Sequence, residues 1–172
     1  MLDMRNCSRT TTRVALAALL ALLLLAAPAG AAGVLLDGSG TGTITGLAVT
    51  PIREVAGISQ EARTLTGVIE GTLEGTYVQE TVGVVNRNRP ENTVTFRGVL
   101  TFTGTVEGCG DEVHTLVLGL VGRGTVPVPG FPVTEAFLWV IRHPDNTLNA
   151  TGHGTASQVG ADLTYELQYT CR

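Results

Sequence analysis

The amino-acid sequence predicts an all-β domain: a single antiparallel barrel of about eight strands, with a β-sandwich as the alternative, preceded by a cleaved signal peptide. Three observations carry this. Glycine alternates with large apolar residues in several segments. Turn signals recur at short intervals. No helical period appears after the N-terminal leader.

The glycine pattern is clearest in "GVIEGTLEGTYV", Gly67 to Val78. As a helix this segment is poor, because each interior glycine costs about 1 kcal/mol and the rest is rich in β-branched residues. As a strand, its side chains alternate between two faces. Gly67, Ile69, Gly71, Leu73, Gly75 and Tyr77 form an apolar face, and Val68, Glu70, Thr72, Glu74, Thr76 and Val78 a mostly polar one. "TFRGVLTFTGTVEG" repeats the pattern with Phe96, Gly98, Leu100, Phe102, Gly104 and Val106 inward, and "GSGTGTITGLAV" places Gly38, Gly40, Gly42, Ile44, Gly46 and Ala48 together. Small barrels fill a tapering interior by alternating small and large residues.

In chain order the strand candidates are 38–49, 52–59, 63–73, 75–85, 93–107, 113–126, 134–142, 147–158 and 162–171. "NRNRPEN", "EGCGDE", "HPDN" and "QVGAD" punctuate them as turns. "VPVPGFPV", Val126 to Val133, reads as a stiff apolar loop at one end.

Residues 1–31 read as a secretory signal peptide and 32–172 as one β-barrel domain. Arg5, Arg9 and Arg13 precede the apolar run Val14–Ala27, and Ala29-Gly30-Ala31 offers a cleavage site. That run is shorter than the ~20 residues a spanning helix needs, so no stable membrane span is expected after cleavage. The expected location is secreted or extracytoplasmic. Beyond the leader, 14 acidic residues face 8 arginines, and lysine is absent. An acidic surface argues against nucleic-acid partners. Cys7 leaves with the leader, so Cys109 and Cys171 remain as an even pair and are expected to form a disulfide.

At "TFRGVLTFTGTVEGCG" and "GVIEGTLEGTYV" the chain resembles small calycin-type barrels, lipocalin-like or allene oxide cyclase-like, and uncharacterised bacterial relatives. The resemblance spans about residues 38–125 and rests on strand and glycine patterns. Trp139, in a late strand, does not supply a lipocalin G-x-W entry motif. The resemblance implies a barrel with an interior site and carries over no catalytic residue.

Recognisable chemistry is sparse. Glu70 and Glu74 would lie ~13 Å apart along one strand, outside the roughly 5–9.5 Å of glycosidase carboxylate pairs. His114, His143 and His153 match no zinc spacing. "DNTLNAT" has Ala150 where a calcium loop needs glycine. The expectation is therefore an exported barrel that binds a small apolar ligand without cofactor or metal. Its pocket would open toward Phe131 and be lined by Ile69, Leu73, Tyr77, Phe96, Leu100 and Phe102. A packed structural or interaction protein, and a cyclase- or isomerase-like enzyme, are the alternatives.

Overall fold

The structure is a computed structural model describing residues 33–88, 91–126 and 132–172. Eight antiparallel strands close into a barrel in sequence order: β1 (Leu36–Val55), β2 (Ile58–Gly71), β3 (Leu73–Asn86), β4 (Asn92–Val106), β5 (His114–Val126), β6 (Val133–Val140), β7 (Ala150–Val159) and β8 (Asp162–Cys171). β8 pairs with β1 from Leu36↔Tyr169 to Thr43↔Asp162, which closes the ring. No helix of the described residues is long and apolar enough to cross a membrane.

β4 follows its predicted phase throughout. Val94, Leu100, Phe102 and Val106 are buried, and Phe102 is fully enclosed. Leu100, Phe102 and Val106 join Ile69, Leu73, Tyr77, Leu116, Leu118, Leu120, Leu138, Tyr165 and Tyr169 in an interior packed toward one end. Leu148 joins them from the β6–β7 connection. In that connection Asn146 accepts a hydrogen bond from the Val117 amide (2.8 Å) and donates one to the Ile141 carbonyl (2.8 Å). "DNTLNAT" thus extends the pairing of β5 beyond the end of β6.

Three expectations are corrected. The candidates 38–49 and 52–59 are parts of one long strand and its turn. β1 runs through Pro51 to Val55, and Ala56-Gly57 forms the hairpin, both with positive φ (50° and 76°). Type I′ turns need positive φ at both central residues. Alanine there gives no sequence signal. The Arg87 amide donates to the Gly57 carbonyl and the Asn88 side chain to the Ala56 carbonyl, which hold the turn from outside.

The second correction concerns β1's faces. Register slips between Ile44 and Gly46 and between Pro51 and Arg53. One extra residue turns the following side chains over, so Gly46 stands against exposed Thr66 and Leu47, itself exposed, against buried Leu65; the second slip turns the phase back. From Thr45 to Val55 this strand pairs only with β2. Pro51 and the two bulges blunt that free edge, as edge strands require.

The third correction lies in the glycine segment itself. "GVIEGTLEGTYV" is a hairpin rather than one strand: Ile69 pairs with Gly75 and Gly67 with Tyr77. Gly71 is exposed with φ 105°, whereas Thr72 is 5% exposed. Glu70 and Glu74 therefore flank a turn, and the straight-strand spacing does not describe them. Thr72 is a node at the packed end. Its amide donates to the Ser39 carbonyl (3.0 Å), its hydroxyl accepts from the Ser39 amide (3.0 Å), and its carbonyl accepts from the Glu107 amide (2.9 Å). The Tyr165 hydroxyl accepts from the Leu73 amide at 2.8 Å.

Cys109 and Cys171 are bonded, with Cα atoms 5.6 Å apart. The bond ties the β4–β5 turn to the end of β8 and closes a 62-residue separation, worth ~4 kcal/mol in the chain-entropy model.

Thr72→Val should destabilise the domain by about 1 kcal/mol, because the part-buried bond from the Ser39 amide loses its acceptor. Gly71→Val should cost more, since it adds a branched side chain at positive φ. Thr72→Ser should stay near wild type. Urea unfolding of the three variants checks the order.

Candidate functional site

The site follows from which small residues the register aligns. One ring of inward rungs leaves β1 at Gly40 and runs through Tyr165, Ala156, Ala136, Gly122, Phe96, Gly83 and Glu61 back to β1 at Pro51. The return at a different height is the stagger a closed barrel needs. Five of these nine positions are glycine or alanine, so at this level the wall is largely backbone.

A cavity of about 1360 Å³ lies here, lined by residues of all eight strands, including Gly40, Phe96, Gly122, Ala136, Ala156 and Tyr165. The space that all eight strands share is the lumen. Toward one end its floor is the packed core. Toward the other, Ser59, Val85, Val94 and Thr134 form a second buried tier on the next inward rungs. Phe96 leans across Gly122 and Tyr165 across Gly40, where a Cβ would strike the rings.

The predicted lining residues are split by the structure. Ile69, Leu73, Tyr77, Leu100 and Phe102 belong to the packed core. Phe96 lines the cavity. Phe131 lies outside the described residues. The residues that sequence reasoning missed are the small ones, Gly40, Gly122, Ala136 and Ala156.

Polar groups are few inside. Burial pushes the Tyr77, Tyr165 and Tyr169 phenols above their ordinary value, so none is a base near neutrality. Tyr165 and Tyr169 are also tied to backbone groups, Tyr169 donating to the Glu107 carbonyl at 2.7 Å. His114 is buried and its Nε2 has no partner among the described residues. His143 lies 3.5 Å from Asp145, and His153 stands near Phe137 on the outer face. Among the described residues no three histidine, cysteine or acidic side chains gather as a metal site.

The exception is an ionic cluster on β2 that the sequence reading did not single out. Ser59, Glu61 and Arg63 share the inward phase of Leu65, Gly67 and Ile69. Glu61 is 6% exposed. One of its carboxylate oxygens accepts from Ser59 Oγ and Arg87 Nη2, both at 2.8 Å, and the other from Arg63 Nη2 at 2.8 Å and Nε at 3.2 Å. Burial alone would raise the Glu61 pKa, but hydrogen bonds from Arg63 and Ser59 and the charges of Arg63 and Arg87 outweigh it. The carboxylate is saturated, so it positions two guanidiniums and has no lone pair free for base chemistry.

No protein-family model and no curated protein sequence matches the chain. Among solved structures it is similar to the crystal structure of a protein of unknown function from the DUF3224 family of Shewanella oneidensis MR-1. The TM-score is 0.54 at 15% identity, over 81% of this chain and 98% of that one. At that identity the likeness extends to the fold alone.

A depressed folded pKa means that Glu61 contributes stability above the ordinary value of 4.5, and that this contribution fades as pH falls through the folded pKa. The stability gap between wild type and Glu61→Gln should be full at pH 7 and shrink below pH 4.5. Denaturant titrations at pH 7, 5 and 3 measure it; an unchanged gap at pH 3 would contradict the assignment.

Proposed function

We propose that the protein is an exported barrel that holds a small, mainly apolar molecule in its lumen. The observation carrying this is the cavity at the ring of Gly40, Gly122, Ala136 and Ala156, exceeding the 300–1,000 Å³ typical of ligand sites. Five strands, with Gly83 on β3, contribute a glycine or alanine to this level, and no large side chain from them fills it. The wall supports an apolar ligand: it offers aromatic faces from Phe96 and Tyr165, and its backbone groups are already paired in the ladders. The N-terminal leader and the Cys109–Cys171 bond support an oxidising, extracytoplasmic setting.

A neutral environment-sensitive dye, N-phenyl-1-naphthylamine, should bind the folded protein. Ala136→Leu and Ala156→Leu place extra side-chain volume in the lumen. Together they should weaken dye binding about tenfold or more while changing the melting temperature little, because there is room for them. Undiminished dye binding by the double variant would refute a lumen site.

Export predicts a mature N-terminus between Gly30 and Gly33. Intact mass of the protein recovered from the expressing host reads this directly, and retention of Met1 to Ala29 would count against it.

A further inference from the structure

We infer that the lumen's ligand carries an anionic group, most simply a carboxylate on an otherwise apolar body, and that Arg63 and Arg87 receive it; this rests on the lumen-binding reading above. A buried acid needs one guanidinium for neutrality. Glu61 has two, and both carboxylate–guanidinium bridges among the described residues converge on it. The cluster therefore keeps a surplus positive charge beside the lumen.

The cluster sits beside the cavity, next to its lining rather than in it. Glu61 pairs with Gly83 in the cavity's own ring, and the flanking residues Gln60, Val82 and Val84 line the cavity. Gly83 has no side chain to cover the carboxylate's neighbours. Glu61 uses Nε and Nη2 of Arg63 and Nη2 of Arg87, and Ser59 takes a bond from Nη1 of Arg87. Arg63 Nη1 makes no hydrogen bond within the described residues, and each guanidinium has five donor hydrogens to fill. The Arg63 side chain is 23% exposed and that of Arg87 43%, against 8% for Glu61, so the accessible part of the cluster is its cationic part. Glu54 faces Ser59 from β1 but forms no ion pair with either arginine.

Planar guanidiniums fixed by a saturated carboxylate are set for a second, planar anion, because their orientation entropy is already lost. The same charge would repel a cationic ligand and gain nothing from a neutral one.

The test is displacement of N-phenyl-1-naphthylamine at pH 7 by two competitors of the same shape, naphthalene-2-carboxylate and naphthalene-2-carboxamide. The carboxylate should displace the dye at a concentration about tenfold or more lower than the amide, the size of a charge-assisted contact. Arg87→Gln, at an exposed side chain, should bring the two within about twofold. Arg63→Gln should likewise narrow the wild-type ratio, which gives a second reading if Arg87→Gln fails to fold. Equal displacement by acid and amide in the wild type overturns the anion inference while leaving the lumen site standing. Absence of dye binding to the wild type removes both.

Discussion

In four cross-strand pairs an aromatic ring lies against a glycine on the neighbouring strand: Tyr77 over Gly67, Tyr165 over Gly40, Phe96 over Gly122 and, on the outer face, Trp139 over Gly119. In each, a Cβ on the glycine would collide with the ring. Glycine alone weakens a strand by leaving backbone uncovered. An aromatic neighbour lying flat restores the cover and adds its own buried area. The sheet can then curve tightly without losing side-chain contact. The arrangement also sets the interior. Where the ring points toward the packed end, as Tyr165 does with its hydroxyl on Leu73, the glycine beneath it leaves its own level open. Core and cavity are two results of one pairing rule.

The packed end is held redundantly. Thr72 joins β1 and the β4–β5 turn through backbone bonds, Tyr165 and Tyr169 close over it, and the disulfide bridges the β4–β5 turn to β8. The opposite end depends on the Ala56-Gly57 hairpin, the Arg87 turn and the ionic cluster at Glu61. Charge at that end and apolar packing at the other give the lumen a polarity along its axis.

The fold class was legible because alternation is a local property. β4 kept its predicted phase since no bulge interrupts it, and all six inward residues named from its sequence point into the barrel. β1 lost its phase after Ile44 because a bulge has no compositional mark there. The Gly71–Leu73 turn was hidden because glycine every fourth residue fits a strand and a hairpin equally well. The cavity ring was invisible for a different reason. Gly40, Gly122, Ala136 and Ala156 come from distant segments, and only the register puts them on one level. The Glu61 cluster did leave a trace: Ser59, Glu61 and Arg63 sit in phase with Leu65 and Ile69, where an apolar strand face should not hold a charge. Splitting the chain between 59 and 63 concealed that phase.

Closure of the ring by β1 and β8 has a kinetic consequence. The strands that meet at Leu36↔Tyr169 are the first and last of the domain, so the seam is also its longest-range contact. Loop-closure entropy must be met before that pairing returns anything, which places such contacts late and makes β-topologies of this kind slow to fold. Local hairpins can form as the chain appears, but the ring has no complete circumference until Cys171 has been synthesised. A nascent chain therefore stays an open ribbon of hairpins until β8 has emerged, with the Leu36–Thr43 edge of β1 waiting longest for its partner.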